Sequence, residues 1–236
     1  MNSRRVLIII PCYNEQVSVA LLLKEIADCR QGYETIVIDD GSQDATYQTA
    51  RQFSPAVKLP RNLGIGGAVQ TGIKYARNQG FDFCIQLDGD AQHDPHEIPK
   101  LLQAYQEMPH PIIIGSRYLQ KDTFRSTWVR RFGGKIIAKV MSLLFPGGTI
   151  TDPTSGMRLM DRNAIEFFSK RYPHDFPEPI SLAWALRVGF TVGEVQVKMR
   201  MRTHGKSSIV GLKPISYMFR VLGYVILARF LRISAF

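Results

Sequence analysis

The stretch Gln-Leu-Asp-Gly-Asp-Ala-Gln-His, residues 86–93, directly follows the apolar run at 83–85. A buried strand that ends in Asp-x-Asp presents both carboxylates at the carboxyl edge of a sheet, where open α/β sheets bind ligands. Carboxylate oxygens, joined by water and phosphate oxygens, suit Mg²⁺ or Mn²⁺. Asp94 and Pro95 already supply a helix start, so helix capping leaves Asp88 and Asp90 unexplained. The stretch therefore predicts a divalent metal site for a nucleotide diphosphate.

Strand-like and helix-like segments alternate around this stretch. Apolar strand patterns lie at 6–10, 35–38, 57–59, 83–87 and 112–114, and helical spacing at 17–27, 45–53, 67–77 and 97–108. Further along, helices are predicted over 128–145 and 179–188, a short strand over 158–160, and an edge strand over 191–201. This alternation predicts an α/β fold, in which a mainly parallel sheet is flanked by helices on both faces.

Length, cysteine content and charge limit the class of protein to which the chain can belong. A chain of 236 residues suits one large α/β domain. Its three cysteines lack metal-ligand spacing, which fits a reducing cytosol. Five apolar residues before Pro11 are too few for a signal peptide. The net charge of +10 is uneven, because residues 197–236 carry eight basic and no acidic side chains.

Two other predicted strands deliver polar groups to the same edge. Tyr13 can pack on a base, while Asn14 and Glu15 can accept hydrogen bonds from base or ribose; a plain helix cap is an equal alternative for Asn14. Asp39 and Asp40 end the second strand and can accept from a base N–H or a ribose hydroxyl.

Glycine-rich and basic segments complete the set. The segment 62–68 lacks the spacing of a dinucleotide fingerprint, so a loop near a sugar or diphosphate fits better, as does a tight turn. Arg117 ends another strand and can pair with a phosphate. Arg202 and Lys206 belong to a basic segment that can close over a diphosphate, although a solvated loop is the alternative for any one of these residues.

Together these motifs resemble the GT-A glycosyltransferases of family 2, which have a Rossmann-like fold. The motifs run in order as Pro-x-Tyr-Asn-Glu, Asp-Asp-Gly-Ser-x-Asp, Asn-x-Gly, Asp-x-Asp-x-Gln-His, Gly-Ser-Arg and a late Arg-x-x-Gly-x-Ser. The Asp-x-Asp-x-Gln-His form is most similar to that of the dolichyl- or polyprenyl-phosphate sugar synthases. The resemblance implies an enzyme that transfers a hexose from a nucleotide-diphosphate sugar to a polyprenyl phosphate with inversion.

The candidate residues follow from the motifs and the resemblance together. Donor-binding candidates are Pro11, Tyr13, Asn14, Glu15, Asp39, Asp40, Asp88, Gly89, Arg202 and Lys206. Metal candidates are Asp88, Asp90 and Gln92, for Mg²⁺ or Mn²⁺. Catalytic candidates are Asp88, Asp90, Arg117, Arg131 and Glu178. By the resemblance, Arg117 and one of Arg130 or Arg131 receive the acceptor phosphate.

Two positions leave the acceptor and donor open. Many lipid-phosphate synthases have Ser-Lys where this chain has Ser207-Ser208, and Lys206 is expected to supply that charge. Glu178 lies where relatives that act on hydroxyl groups carry a base, although a carboxylate favoured by a helix N-terminus is the preferred interpretation. A transferase that acts on a saccharide or lipid hydroxyl, and a non-catalytic nucleotide-sugar-binding subunit, remain the alternatives.

The basic C-terminal part predicts membrane association. We expect a catalytic domain over 1–208 and an amphipathic tail over 209–236, with a helix from 213 to 233. Arg220 and Arg229 leave eight uncharged residues between them, too few to span a bilayer. A helix at the interface of an anionic membrane, on the cytoplasmic face, is the prediction. The alternatives are packing on the sheet and docking on a small integral-membrane partner; nucleic acid is not an expected partner.

Overall fold

Seven strands form one sheet in the computed structural model, which describes residues 4–29, 31–120, 128–145, 150–200 and 213–231. The strands are β1 (Val6–Cys12), β2 (Glu34–Asp39), β3 (Ala56–Lys58), β4 (Phe83–Gln86), β5 (Ile112–Ser116), β6 (Arg158–Asp161) and β7 (Val192–Gln196). They lie in the order β3-β2-β1-β4-β6-β5-β7. Only β6 runs antiparallel to its neighbours within this sheet.

Helices separate the strands as the alternation predicted. They are α1 (Gln16–Asp28), α2 (Thr46–Ala50), α3 (Gly64–Asn78), α4 (Ile98–Glu107), α5 (Trp128–Leu144), α6 (Arg162–Lys170), α7 (Pro177–Arg187) and α8 (Lys213–Phe230). Helix α2 is shorter than the 45–53 expected. Helix α6 was not predicted. It begins after Asp161, the last residue of β6, whose side chain accepts a hydrogen bond from the Ala164 N–H.

The two faces of the sheet bury separate apolar clusters. Every residue of β1 is buried, and successive side chains alternate between the faces, so Ile9 joins one cluster and Ile8 the other. Buried residues of α3, α5, α6, α7 and α8 join the cluster of Ile9, while those of α1 and α4 join the cluster of Ile8. The carboxyl ends of the central parallel strands are therefore supported from both sides.

Helix α8 is apolar on two sides. Val221, Val225 and Ala228 are fully buried, and the helix contacts α5 and α7. On the outside, Phe219 and Phe230 are 68% and 75% exposed. No helix in the described ranges combines the length and apolarity needed to cross a membrane. The expected domain boundary at 208/209 falls outside the described residues.

Candidate active site

The carboxyl ends of β1, β2 and β4 meet at one edge of the sheet. Cys12 is paired with Asp39 across β1 and β2, and the Asp40 N–H donates to the Cys12 carbonyl at 2.8 Å. On the other side of β1, the Gly89 N–H donates to the Pro11 carbonyl at 3.2 Å. These backbone bonds bring three of the predicted polar segments together.

Asp39 and Asp40 form the part of the edge opposite the Asp-x-Asp turn. Asp39 is fully buried; one carboxylate oxygen accepts from the Ser42 N–H at 3.2 Å, and the other lacks a hydrogen-bond partner within the described chain. Lys58 Nζ lies 3.8 Å from that second oxygen. Asp40 accepts from the Leu63 N–H at 2.7 Å, and burial raises the pKa of the Asp40 carboxyl. The second Asp39 oxygen is thus buried near Lys58, and the described residues leave its hydrogen-bonding capacity unused.

The segment after β1 turns sharply. Asn14 adopts a left-handed backbone with φ 55°, its N–H donates to Ser42 Oγ at 2.9 Å, and its side-chain oxygen accepts from the Gln43 N–H at 2.9 Å. Asn14 therefore ties two loops together instead of capping α1, whose N-cap residue is Glu15. Tyr13 is 43% exposed and so has a face open to a ligand.

The Asp-x-Asp turn holds its two carboxylates in place through short polar contacts. Asp88 Oδ1 accepts from Gln86 Nε2 at 3.1 Å, and Asp90 Oδ1 accepts from the Gln92 N–H at 3.1 Å. A β-carbon at Gly89 would overlap Cys12 Sγ, so only glycine allows this close approach to β1.

A divalent ion fits this donor set. Asp88, Asp90 and Gln92 offer two carboxylates and an amide oxygen, which are hard ligands suited to Mg²⁺ and Mn²⁺. Gln92 Nε2 donates to the Arg200 carbonyl at 3.2 Å, which leaves the amide oxygen of Gln92 as the atom that can bind an ion. The described residues contain no cluster of three or more His, Cys, Asp or Glu side chains suited to a metal. Two carboxylates alone leave coordination positions for phosphate oxygens.

Arg117 is held in a buried ion pair. Its Nε and Nη2 donate to the two Asp152 carboxylate oxygens at 2.6 and 2.7 Å, and the exposed fractions of the two side chains are 15% and 0%. Glu194 accepts from the N–H groups of Thr151 and Asp152 at 2.8 and 2.9 Å, which fixes the segment. Burial lowers the pKa of Arg117, but the bonds to Asp152 outweigh it and raise the pKa above its ordinary value.

Glu178 lies near the Asp-x-Asp turn, as the second residue of α7. Burial raises the pKa of Glu178 to about 7, although the nearby Arg158 lowers it; Asp88 adds a further rise. Phe176, just before α7, has a left-handed backbone with φ 46°, which side chains of this size rarely adopt. A carboxyl group with a pKa of about 7 can hold or accept a proton near neutral pH.

Arg158 anchors the elements around Glu178. Its buried guanidinium donates to the carbonyls of Ser155, Glu178 and Pro153 and to Ser181 Oγ, at 2.7–3.0 Å. A β-carbon at Gly156 would stand 2.5 Å from Asp88 Oδ2, so the 152–158 segment lies directly against the Asp-x-Asp turn.

Sequence reasoning missed Asp152, Gly156 and Arg158 as parts of this region. The turn-forming sequence at 152–156 marked a loop, with no signal of its long-range partners. Two predicted groups are not placed: Arg202 and Lys206 lie outside the described residues, as do the side chains of Arg130 and Arg131 at the start of α5.

Comparison with known proteins identifies the family. Residues 7–168 match the model described as glycosyl transferase family 2. The chain belongs to this family. It is a glycosyltransferase, which confirms the enzyme class and the resemblance predicted from the motifs. The match begins in β1 and ends within α6, so Glu178 and α8 lie beyond it.

Sequence relatives extend over more of the chain. The chain is 27% identical to a UDP-N-acetylglucosamine–dolichyl-phosphate N-acetylglucosaminyltransferase of Methanococcus voltae, over 84% of this chain and 86% of the relative. It is 30% identical to a polyprenol monophosphomannose synthase of Mycolicibacterium smegmatis, over 96% and 89%. It is 29% identical to an undecaprenyl-phosphate mannosyltransferase of Micrococcus luteus, over 88% of each.

A solved structure supports the fold. Glucosyl-3-phosphoglycerate synthase from Mycobacterium tuberculosis, in complex with Mn²⁺, uridine diphosphate and phosphoglyceric acid, matches with a TM-score of 0.73 at 18% identity. The match covers 98% of this chain and 81% of that chain. The sheet and its flanking helices are thus the GT-A fold that the motifs predicted.

Proposed function

We propose that this glycosyltransferase moves a hexose from a nucleotide-diphosphate sugar to a polyprenyl phosphate, with inversion at the anomeric carbon. One observation carries the proposal. Three relatives from different organisms, each aligned over 84% or more of this chain, are named for dolichyl, polyprenol or undecaprenyl phosphate chemistry.

The donor is proposed to lie along the edge formed by β1, β2 and β4. Asp39 and Asp40 hold the nucleoside, where the second Asp39 oxygen meets a base or ribose donor. Asp88, Asp90 and Gln92 hold Mg²⁺ or Mn²⁺. When bound, such an ion supplies positive charge that stabilises the leaving diphosphate. The exposed Tyr13 packs on the nucleoside.

The acceptor is proposed to approach from the side of α5 and α7. A phosphate acceptor is already anionic at neutral pH, so it needs positioning more than it needs a base. Arg117, held by Asp152, and Arg130 or Arg131 bind that phosphate. Arg202 and Lys206 neutralise the charge of the donor diphosphate.

A second candidate is transfer to a saccharide or lipid hydroxyl, with Glu178 as the base. The observations that favour it are the place of Glu178 at the start of α7, where Arg158 holds its carbonyl, and its raised pKa of about 7, to which Asp88 contributes. A neutral hydroxyl needs such a base, whereas a phosphate does not.

Membrane contact is proposed for the outer face of α8. The apolar side chains of Phe219, Ile226, Leu227 and Phe230 are exposed there, with Arg220 and Arg229 among them. An apolar face with interspersed cations suits an interface with anionic lipid. Together with the predicted reducing environment, this supports a peripheral enzyme on the cytoplasmic face. A small integral-membrane partner is the competing occupant.

The test is transfer of labelled sugar into an organic-extractable product. UDP-glucose, UDP-N-acetylglucosamine, UDP-galactose and GDP-mannose are offered with Mn²⁺ or Mg²⁺ and a polyprenyl phosphate, and Asp90→Asn is the matched control. Metal-dependent label in the lipid phase, lost in the control, supports the proposal and names the donor. Donor hydrolysis without lipid product points to the hydroxyl acceptor. No turnover with any acceptor favours a non-catalytic binding subunit.

A further inference from the structure

The buried imidazole of His93 lies next to Asp88, the first carboxylate of the Asp-x-Asp turn. Its side chain is 2% exposed, and its Nδ1 accepts a hydrogen bond from the Asp88 N–H at 3.0 Å. A ring nitrogen that accepts carries no proton, so the neutral ring is protonated on Nε2. That Nε2 has no hydrogen-bond partner within the described residues, which is costly for a buried donor.

The Nε2–H of His93 is close to the carboxylate of the same aspartate. Nε2 lies 3.9 Å from Asp88 Oδ2, too far for a hydrogen bond. The other oxygen, Oδ1, is already held by Gln86 Nε2 at 3.1 Å. A shift of Oδ2 by about 1 Å would bring it within bonding reach of the imidazole.

The backbone that carries the ring is fixed by its neighbours. His93 forms an antiparallel bridge with Met199, and the Arg200 N–H donates to the Gln92 carbonyl at 2.8 Å. These bonds join the Asp-x-Asp turn to residues 199–200. Together with the bond from the Asp88 N–H to Nδ1, they keep the imidazole next to the Asp88 carboxylate.

We propose that His93 is a positioning residue for the metal and diphosphate site. Its Nδ1 fixes the backbone at Asp88, and its Nε2–H donates to the Asp88 carboxylate once that carboxylate engages a metal-bound nucleoside diphosphate. This inference rests on the proposed function. Groups that orient a metal ligand from behind typically contribute 10- to 100-fold to metal affinity.

The experiment measures nucleoside diphosphate binding by calorimetry on the full chain, with UDP and GDP, in the presence and absence of Mn²⁺. His93→Asn keeps an acceptor near the position of Nδ1 but lacks the Nε2–H. His93→Gln reaches to the position of Nε2 and can still donate. His96→Asn is the matched control, since the His96 ring is 62% exposed and bonds to Asp94 at 2.9 Å.

The expected result is a loss confined to the metal-dependent part of binding. In His93→Asn, the gain in affinity caused by Mn²⁺ falls by about 10-fold or more, while binding without metal and the thermal midpoint change little. His93→Gln recovers part of the gain, and His96→Asn matches wild type. Both His93 variants are measured, so that a folding failure in one leaves the comparison with the other.

Three results would overturn the proposal. A His93→Asn protein whose Mn²⁺-dependent gain stays within about twofold of wild type shows that His93 does not position the site. An equal loss with and without Mn²⁺ shows a merely structural role. If wild type itself gains nothing from Mn²⁺ with either nucleotide, the proposed metal site fails, and this inference fails with it.

Discussion

The proposed donor side and the proposed acceptor side of the site are built in different ways. On the donor side, each polar group lies within a few residues of a strand end, and parallel pairing of β1 with β2 and β4 brings the groups together. On the acceptor side, Arg117 depends on Asp152, 35 residues away, and Arg158 ties the 153–155 turn to α7. The donor side can therefore be predicted from local sequence, whereas the acceptor side depends on polar pairs between residues far apart in the chain.

The largest expected effect breaks the donor side. Asp90→Asn removes one of the two carboxylates proposed for the metal, so sugar transfer should fall by about 100-fold or more. The measurement is initial rate with Mn²⁺ at saturating donor, beside Mn²⁺ binding by electron paramagnetic resonance. Transfer at the wild-type rate would contradict the assignment of Asp90.

The next effect tests the buried pair on the acceptor side. Asp152→Asn leaves the Arg117 cation buried without its partner, so the free energy of unfolding should fall by about 3–5 kcal/mol. Denaturant unfolding measures it. The control is Glu34→Gln, in a pair with Arg5 whose side chains are 47% and 54% exposed, where the expected loss is about 0–1 kcal/mol. A similar small loss in Asp152→Asn would show that the acceptor side does not depend on this pair.

A smaller effect separates the two faces of α8. Phe230→Ser, on the exposed face, should weaken binding to anionic vesicles by roughly tenfold without changing the thermal midpoint, because it removes apolar area that the core does not use. Vesicle sedimentation at two salt concentrations measures it. Val225→Ala, on the buried face, should instead lower the midpoint. Vesicle binding unaffected by Phe230→Ser would favour a protein partner for this face.

The smallest effect on lipid transfer is expected at Glu178. If the acceptor is a phosphate, Glu178→Gln should lower transfer by less than about tenfold; loss of all transfer would support the hydroxyl acceptor. Stability gives a second measurement. The folded pKa of about 7 lies above the unfolded value, so this carboxyl destabilises the fold once ionised. The free energy of unfolding of wild type, relative to Glu178→Gln, should therefore fall as pH rises from about 4.5 to 7.

Much of the fold and the donor side could be predicted from the sequence. Continuous apolar runs such as β1, and Gly or Asp at the strand ends, are local signals of a buried parallel sheet. Helix α6 was missed because its pattern follows β6 without a break, and Asp161 serves both elements. The helix-cap alternative for Asn14 was wrong, because its partners Ser42 and Gln43 come from another loop.

By itself, the sequence determined the α/β alternation, the family motifs and the order in which carboxylates reach the sheet edge. These depend on spacing along the chain, which side-chain alternation and turn residues make readable. Only the tertiary structure decided that Arg117 is paired with Asp152, that Gly156 lies against Asp88, and that α8 buries one apolar face and exposes another. Such contacts join residues far apart in sequence, and burial at those points depends on the packing of the whole fold.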